Sequence, residues 1–317
     1  MEFSINKPWS HTEWLSELEA VNNLPPSNEK KEKGRLLRRA IFQANVNIVR
    51  DGYYTTADGK VVHLPSVESS SRFYSSPVIL QRSQRDRNKT IIEIVNKDSI
   101  DAAEDLIKSG YNPAVLNMAC EDGPGGGVIG GCYGQEESLF RRSNLYVHMY
   151  PYCSHAAEYG LNRSSYSYPL NKRFGGVYVH NALVFRKREQ EGYELMDSCV
   201  PLSFIAVPAI SNPKLTTERA LYKLDQEIAL DKIRQIMKIG MDNNHDSLVL
   251  GAWGCGIFHN PPEIIAELFK QVLNEPGIKD YYKIVHFAII EDSCSFNVHN
   301  PSGNFIPFKM IFDNVRE

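Results

Sequence analysis

From Thr90 onward, short apolar or β-branched runs alternate with helical stretches, and this alternation is what most narrows the folds open to the chain. Ile91–Val95, Ala114–Met118, Val177–Phe185, Ser203–Val207, Leu248–Leu250 and Lys283–Glu291 read as strands. Between them the spacing predicts helices over Ile100–Ser109, capped by Ser99 and closed by Gly110, and over Glu136–Arg142. One long helix or two short ones are expected in Thr216–Ile239, stopped by Gly240, and a last helix in Pro262–Leu273. Strands alternating with helices make an α/β layered fold with a mixed or parallel sheet. In such sheets ligands sit beyond the carboxyl ends of the strands, where loops and helix N-termini converge.

Upstream, residues 1–30 read as irregular, with Pro25-Pro26-Ser27-Asn28 as a loop before a helix that Ser27 or Asn28 caps. Leu36, Leu37, Ala40, Ile41, Ala44 and Ile48 recur at near-helical spacing through Glu29–Val49. The cations of Glu29-Lys30-Lys31-Glu32-Lys33, with Arg35, Arg38 and Arg39, read as a solvated face of that helix. Gly52–Thr56 and Lys60–Leu64 flank Ala57-Asp58-Gly59, a hairpin signal.

A net charge of −3 over 317 residues gives no broad basic field, so direct DNA binding is not expected. The longest apolar runs, such as Phe204–Val207 and Leu248–Ala252, are too short to span a bilayer, and no membrane association is expected. Met1-Glu2-Phe3-Ser4 lacks the basic and apolar regions of a signal peptide, so a cytoplasmic protein is expected. The six cysteines, at 120, 132, 153, 199, 255 and 294, form no metal-binding spacing and read as reduced thiols. No metal or cofactor is expected, and the chain is read as a monomer.

Two glycine-rich turns stand at strand-to-helix junctions. In the first, Gly125-Gly126-Gly127 precedes Gln135-Glu136-Glu137 by seven residues. Glycines allow close backbone approach to a ligand, and adjacent carboxylates can do acid chemistry on what the loop holds. It is no P-loop, since no Gly-Lys-Ser/Thr follows, nor a dinucleotide fingerprint, since no acidic residue closes a second strand about 20 positions on. The second turn is Gly251-Ala252-Trp253-Gly254-Cys255-Gly256-Ile257-Phe258. Its N–H groups suit a diphosphate, so the two loops together fit a ligand with a diphosphate between two sugars.

Val115-Leu116-Asn117, then Pro124–Gly127, seven residues and Gln135-Glu136-Glu137 resemble the bacterial-type poly(ADP-ribose) glycohydrolases. Ser138–Tyr146, Pro208–Asn212, Gly251–Phe258 and the Gly52–Leu64 hairpin are similar to further segments of that family, over roughly residues 35–295. The resemblance implies a macrodomain-like three-layer α/β/α fold with a mixed central sheet. It also implies an N-terminal accessory segment, residues 1–89, packing on a catalytic core of residues 90–317. Carried over, Glu137 is the general acid that then activates water, and Glu136 holds a ribose hydroxyl. Gln135 supports the loop, and Asn117 bonds the terminal ribose. Gly125, Gly126 and Gly127 wrap the diphosphate and ribose. Gly254, Cys255, Gly256 and Ile257 bind the diphosphate from the other side, and Phe258 packs on the ligand.

The implied reaction is hydrolysis of the ribose–ribose bond of poly(ADP-ribose). A second reading is removal of single ADP-ribose units from protein side chains. The acidic Glu121-Asp122, unusual for the family, gives it a motive by favouring a cationic leaving group such as arginine. A third reading is a macrodomain that binds ADP-ribose without cleaving it. A nucleotide-dependent transferase lacks a nucleophile or metal site beside the loops.

Overall fold

A computed structural model of the chain describes residues 9–80, 89–291 and 295–313; Met1–Ser4 and Cys294 lie outside the described residues. In chain order the elements are α1 (His11–Asn22), α2 (Asn28–Asp51), β1 (Tyr53–Thr55), β2 (Val61–His63), β3 (Ser70–Tyr74), β4 (Ile91–Val95), α3 (Ser99–Lys108), β5 (Pro113–Asn117), α4 (Gln135–Arg142), α5 (Leu145–Met149), β6 (Gly176–Arg186), β7 (Leu195–Ala206), α6 (Lys223–Asp242), β8 (Ser247–Leu250), α7 (Pro262–Leu273), β9 (Ile284–Ala288) and α8 (Phe305–Asp313). None of the described helices is long and apolar enough to cross a membrane.

Contacts divide the chain into two compact units. One holds the chain up to Ser71 with Asp122–Tyr168 and Val179–Leu202; the other holds Arg72–Glu121, Pro169–Tyr178 and the chain from Ser203 onward. In the first unit, Ser27 caps α2 by accepting the Lys30 N–H, and Gly52 ends it in the left-handed conformation at φ 78°. The hairpin forms as the Asp-Gly turn predicts, with Tyr53 opposite His63. Residues 11–22, expected to be irregular, are helical: Ser10 caps α1, and Trp14 is buried with its indole N–H on the Leu37 carbonyl at 3.2 Å. That apolar anchor, with Leu15, Leu18 and Val21 beside it, supplies packing that the short polar segment does not announce.

Seven strands form one sheet of order β3-β6-β7-β5-β8-β9-β4. β5 runs parallel to β7 and β8, and β9 parallel to β8 and β4. β6 and β7 are neighbours joined by only residues 187–194, too short for a parallel crossover, so the sheet is mixed. β5, β8 and β9 are buried along their whole length, the pattern of strands covered on both faces. Ala114, Leu116, Leu248, Leu250, Val285 and Phe287 share one core with α6, α7 and α8. α3 packs on β5, β8 and β9 and covers the alternate side chains, giving helix, sheet and helix layers.

Three helix boundaries depart from expectation for local reasons. α3 is capped by Asp98, whose carboxylate accepts from Ile100 and Asp101, rather than by Ser99. α6 begins only at Lys223, because Thr216 and Ala220 close a turn of their own before it. Gly240 lies inside α6 instead of stopping it. A methyl there would stand 2.4 Å from the Tyr282 hydroxyl, so the glycine allows the helix to pass close to that ring.

Candidate active site

In the first unit, the glycine loop and the start of α4 form a closed turn. Gly125 and Gly126 adopt φ of 80° and 51°, a region costly for side-chain-bearing residues. The two acids of α4 reach back to this backbone. Glu136 Oε1 accepts the Gly125 N–H at 3.0 Å, and Glu137 Oε1 accepts the Gly127 N–H at 2.9 Å. The carboxylates converge over Gly126, where a methyl would lie 2.6 Å from Glu137 Oε1 and 3.3 Å from Glu136 Oε2. Glu136 is buried and Glu137 is half-buried. Glu137 Oε2 accepts no hydrogen bond among the described residues. Gln135 occupies the first position of α4, half-buried, beside them.

The rest of the loop is fixed by side chains far away in sequence. Gly131, at φ 72°, lies so close to α2 that a methyl would come within 2.1 Å of the Arg35 carbonyl oxygen. Arg141, fully buried, donates to the Cys132 carbonyl at 2.8 Å and to the Tyr193 hydroxyl at 2.8 Å. That hydroxyl donates to Glu189, which also holds Arg38 through two bonds of 2.9 and 2.7 Å. Burial pushes the Glu189 carboxyl up, but Arg38, Arg141 and Tyr193 outweigh it and leave the group below the usual carboxylate range. Asn45, wholly buried on α2, donates to the Phe140 and Arg141 carbonyls at the end of α4 and accepts from Arg186. No local pattern marked Asn45, Glu189 or Tyr193, and Arg141, inside the family-like Ser138–Tyr146, carried no expected role. Buried arginines in particular read as surface residues in a sequence.

In the second unit, β8 runs into the second glycine turn. Gly254 has φ 74°, and a methyl there would meet Ala209 at 2.5 Å. Asn260, buried and unmarked by sequence, donates to the carbonyls of Ile210, Gly254 and Phe258 at 2.7, 3.0 and 3.3 Å. The Cys255 carbonyl accepts from His299 Nε2 at 2.8 Å and from Asn300 Nδ2 at 3.3 Å. In a trans peptide this turns the Gly256 N–H to the opposite side. The N–H groups of Gly256, Ile257 and Phe258 meet no acceptor among the described residues. The Cys255 thiol is fully buried and raised by that burial, and its N–H donates to the Ala252 carbonyl at 3.1 Å, so Cys255 fixes the turn with both backbone groups. Ile257 is 73% exposed, while Phe258 packs against the core. Asn117 is wholly buried at the end of β5.

Glu121 belongs to this unit and does not stand as a free charge. Lys232, buried on α6, places its Nζ 3.6 Å from Glu121 Oε2. Burial pulls that lysine down to about 8, with Glu121 pulling it partly back. Asp122, the next residue, is exposed.

Residues 43–187 match the model of the microbial-type PARG catalytic domain. Poly(ADP-ribose) glycohydrolase from Thermomonospora curvata is similar at 26% identity and a TM-score of 0.64, over 87% of this chain and 99% of that one. Its structure bound to the inhibitor ADP-HPD is similar at 25% identity and 0.64, over 86% and 98%. The Deinococcus radiodurans enzyme in complex with ADP-ribose is similar at 26% identity and 0.55, over 73% and 86%. No curated protein matches the chain.

Proposed function

We propose that the chain acts as a member of the bacterial-type poly(ADP-ribose) glycohydrolase family and hydrolyses the O-glycosidic ribose–ribose bond of poly(ADP-ribose), releasing ADP-ribose. The observation that carries this reading is the convergence of Glu136 and Glu137 on Gly126, each tied to a glycine N–H. A module that only reads ADP-ribose needs no pair of acids at that place.

Cleavage at C1″ passes through an oxocarbenium-like state, and the departing ribose oxygen needs a proton. Glu137 supplies it. One of its oxygens is anchored by Gly127, which leaves the other for the reaction. As the C1″–O bond breaks, the proton moves from Glu137 to the leaving hydroxyl. Water then attacks C1″ and returns a proton to Glu137, so the acid is regenerated. Glu136, held by Gly125, presents its carboxylate to a ribose hydroxyl and orients the sugar. Gln135 supports the loop, and the backbone of Gly125, Gly126 and Gly127 lies against the diphosphate and ribose. Asn117 bonds the terminal ribose. Gly254, Gly256 and Ile257 offer N–H groups to the diphosphate, Cys255 holds the turn between them through its bond to Ala252, and Phe258 packs on the ligand.

Removal of single units from arginine loses its main motive, because Glu121 already pairs with Lys232. The deciding experiment incubates the protein with polymer and with singly ADP-ribosylated protein and follows released ADP-ribose. Release from polymer, abolished in Glu137→Ala with ADP-ribose binding retained, is the expected result. Full activity in that variant would sink the mechanism, and release from the singly modified protein alone would replace the substrate.

A further inference from the structure

Between residues 29 and 39, α2 carries six lysines and arginines against two glutamates, in a chain of net charge −3. Three of these cations are matched by acids: Lys33 by Glu29, Arg39 by Glu32 and Arg38 by Glu189. Lys30, Lys31 and Arg35 meet no carboxylate among the described residues. A groove of about 340 Å³ opens beside them, with Lys30, Lys31 and Arg38 in its lining along with the apolar Leu18, Val21 and Pro26, and with no carboxylate. The Lys30 ammonium is fixed at the wall by the carbonyls of Asn22 and Leu24, at 2.6 and 2.9 Å. Lys31 and Arg35 are exposed.

This groove adjoins the loop that carries the acids. Arg38 lies 5.3 Å over the ring of Tyr133, four residues before Glu137, and that ring is 46% exposed. Within the same turn of α2, the Arg35 carbonyl abuts Gly131. Cations beside an exposed aromatic ring match one recurring ligand chemistry, phosphates that alternate with stackable bases.

We propose that this groove, together with Arg35 next to Gly34 and Tyr133 against Arg38, holds the diphosphate and adenine of an ADP-ribose unit beyond the one being cleaved, so that the enzyme favours long polymer over short oligomers. The proposal rests on the polymer reading above. Each further unit brings a diphosphate, and each phosphate neutralised by a cation releases counterions and makes binding salt-dependent. The polymer is the favoured polyanion because Arg38, in the groove's lining, also touches Tyr133 of the catalytic loop.

The test compares steady-state cleavage of long polymer and of the two-unit oligomer. Lys31→Glu/Arg35→Glu should raise KM for long polymer roughly tenfold and flatten its salt dependence by about one to two in log–log slope. Cleavage of the two-unit oligomer and the thermal melt should stay at wild-type values. The neutral pair Lys31→Gln/Arg35→Gln should fall between, which separates a charge effect from a folding defect. Equal losses on both substrates, or none on either, would overturn the inference. So would a single-stranded oligodeoxynucleotide that inhibits wild type as strongly as a non-cleavable polymer of equal charge. Failure of wild type to release ADP-ribose from any polymer would instead remove the polymer reading itself.

Discussion

Glu136 and Glu137 are adjacent in the chain yet meet different surroundings. Glu136 is 3% exposed, while Glu137 keeps one oxygen open. Replacing Glu137 with Gln keeps the size and the acceptor for Gly127 but removes the proton. Turnover should fall by at least about a hundredfold with ADP-ribose affinity kept, as read by single-turnover kinetics and calorimetry. A loss confined to affinity would mean that Glu137 only binds. Gly131 tests the scaffold at the same scale. An alanine there would place a methyl 2.1 Å from the Arg35 carbonyl oxygen at φ 72°, so the loop or α2 must shift. The expected cost is about 2 kcal/mol or more in urea unfolding. Gly130→Ala, one residue earlier and facing open space, should cost less than about 0.5 kcal/mol. Equal effects at the two glycines would contradict this packing. The triple glycine and its spacing to the acids were legible because close backbone approach demands glycine. The need at Gly131 was not, because its cause is the Arg35 carbonyl, on a helix far earlier in the chain.

α2 was legible as an amphipathic helix from its apolar spacing and its Ser27 cap. What it grips was not, since Glu189, Tyr193 and Arg141 reach it only through the tertiary fold. This grip carries a pH dependence of definite sign. Glu189 holds a lower pKa folded than unfolded, so its contribution to stability is full above the ordinary carboxylate value of 4.5 and is lost as pH falls through the lower folded value. Unfolding measured from pH 6 down to about pH 3 should therefore show a stability loss in wild type that is smaller in Glu189→Gln. At neutral pH the variant should already be weaker by about 2 kcal/mol, because Arg38 loses its buried counter-charge. Parallel acid curves for the two proteins would refute the assignment. The second loop repeats the lesson. Its glycines were visible at the end of a strand, whereas Asn260, His299 and Asn300, which hold its carbonyls, lie outside any local pattern.

Across the whole chain, the alternation of strands and helices announced the layered α/β fold, because buried parallel strands need apolar residues on both faces. The partition of the chain into units depends on contacts between distant segments, which periodicity does not encode. If both glycine loops hold one ligand, as proposed above, hydrogen exchange will show it amide by amide. In the free protein the N–H groups of Gly126, Gly256, Ile257 and Phe258 have no acceptor among the described residues, so they should exchange quickly. Those of Gly125 and Gly127 are already bonded to Glu136 and Glu137 and should exchange more slowly. ADP-ribose at about a hundred times its Kd can stabilise what it holds by up to about 2.7 kcal/mol, roughly a hundredfold in exchange rate. Slowing should therefore appear at Gly126 and at Gly256–Phe258 together, with the smaller change at Gly125 and Gly127. In Glu137→Ala the free-state rate at Gly127 should rise, because its acceptor is gone, while the second loop still responds to ligand. Protection of one loop without the other would divide the ligand assignment and leave the unprotected loop as a turn of the fold alone.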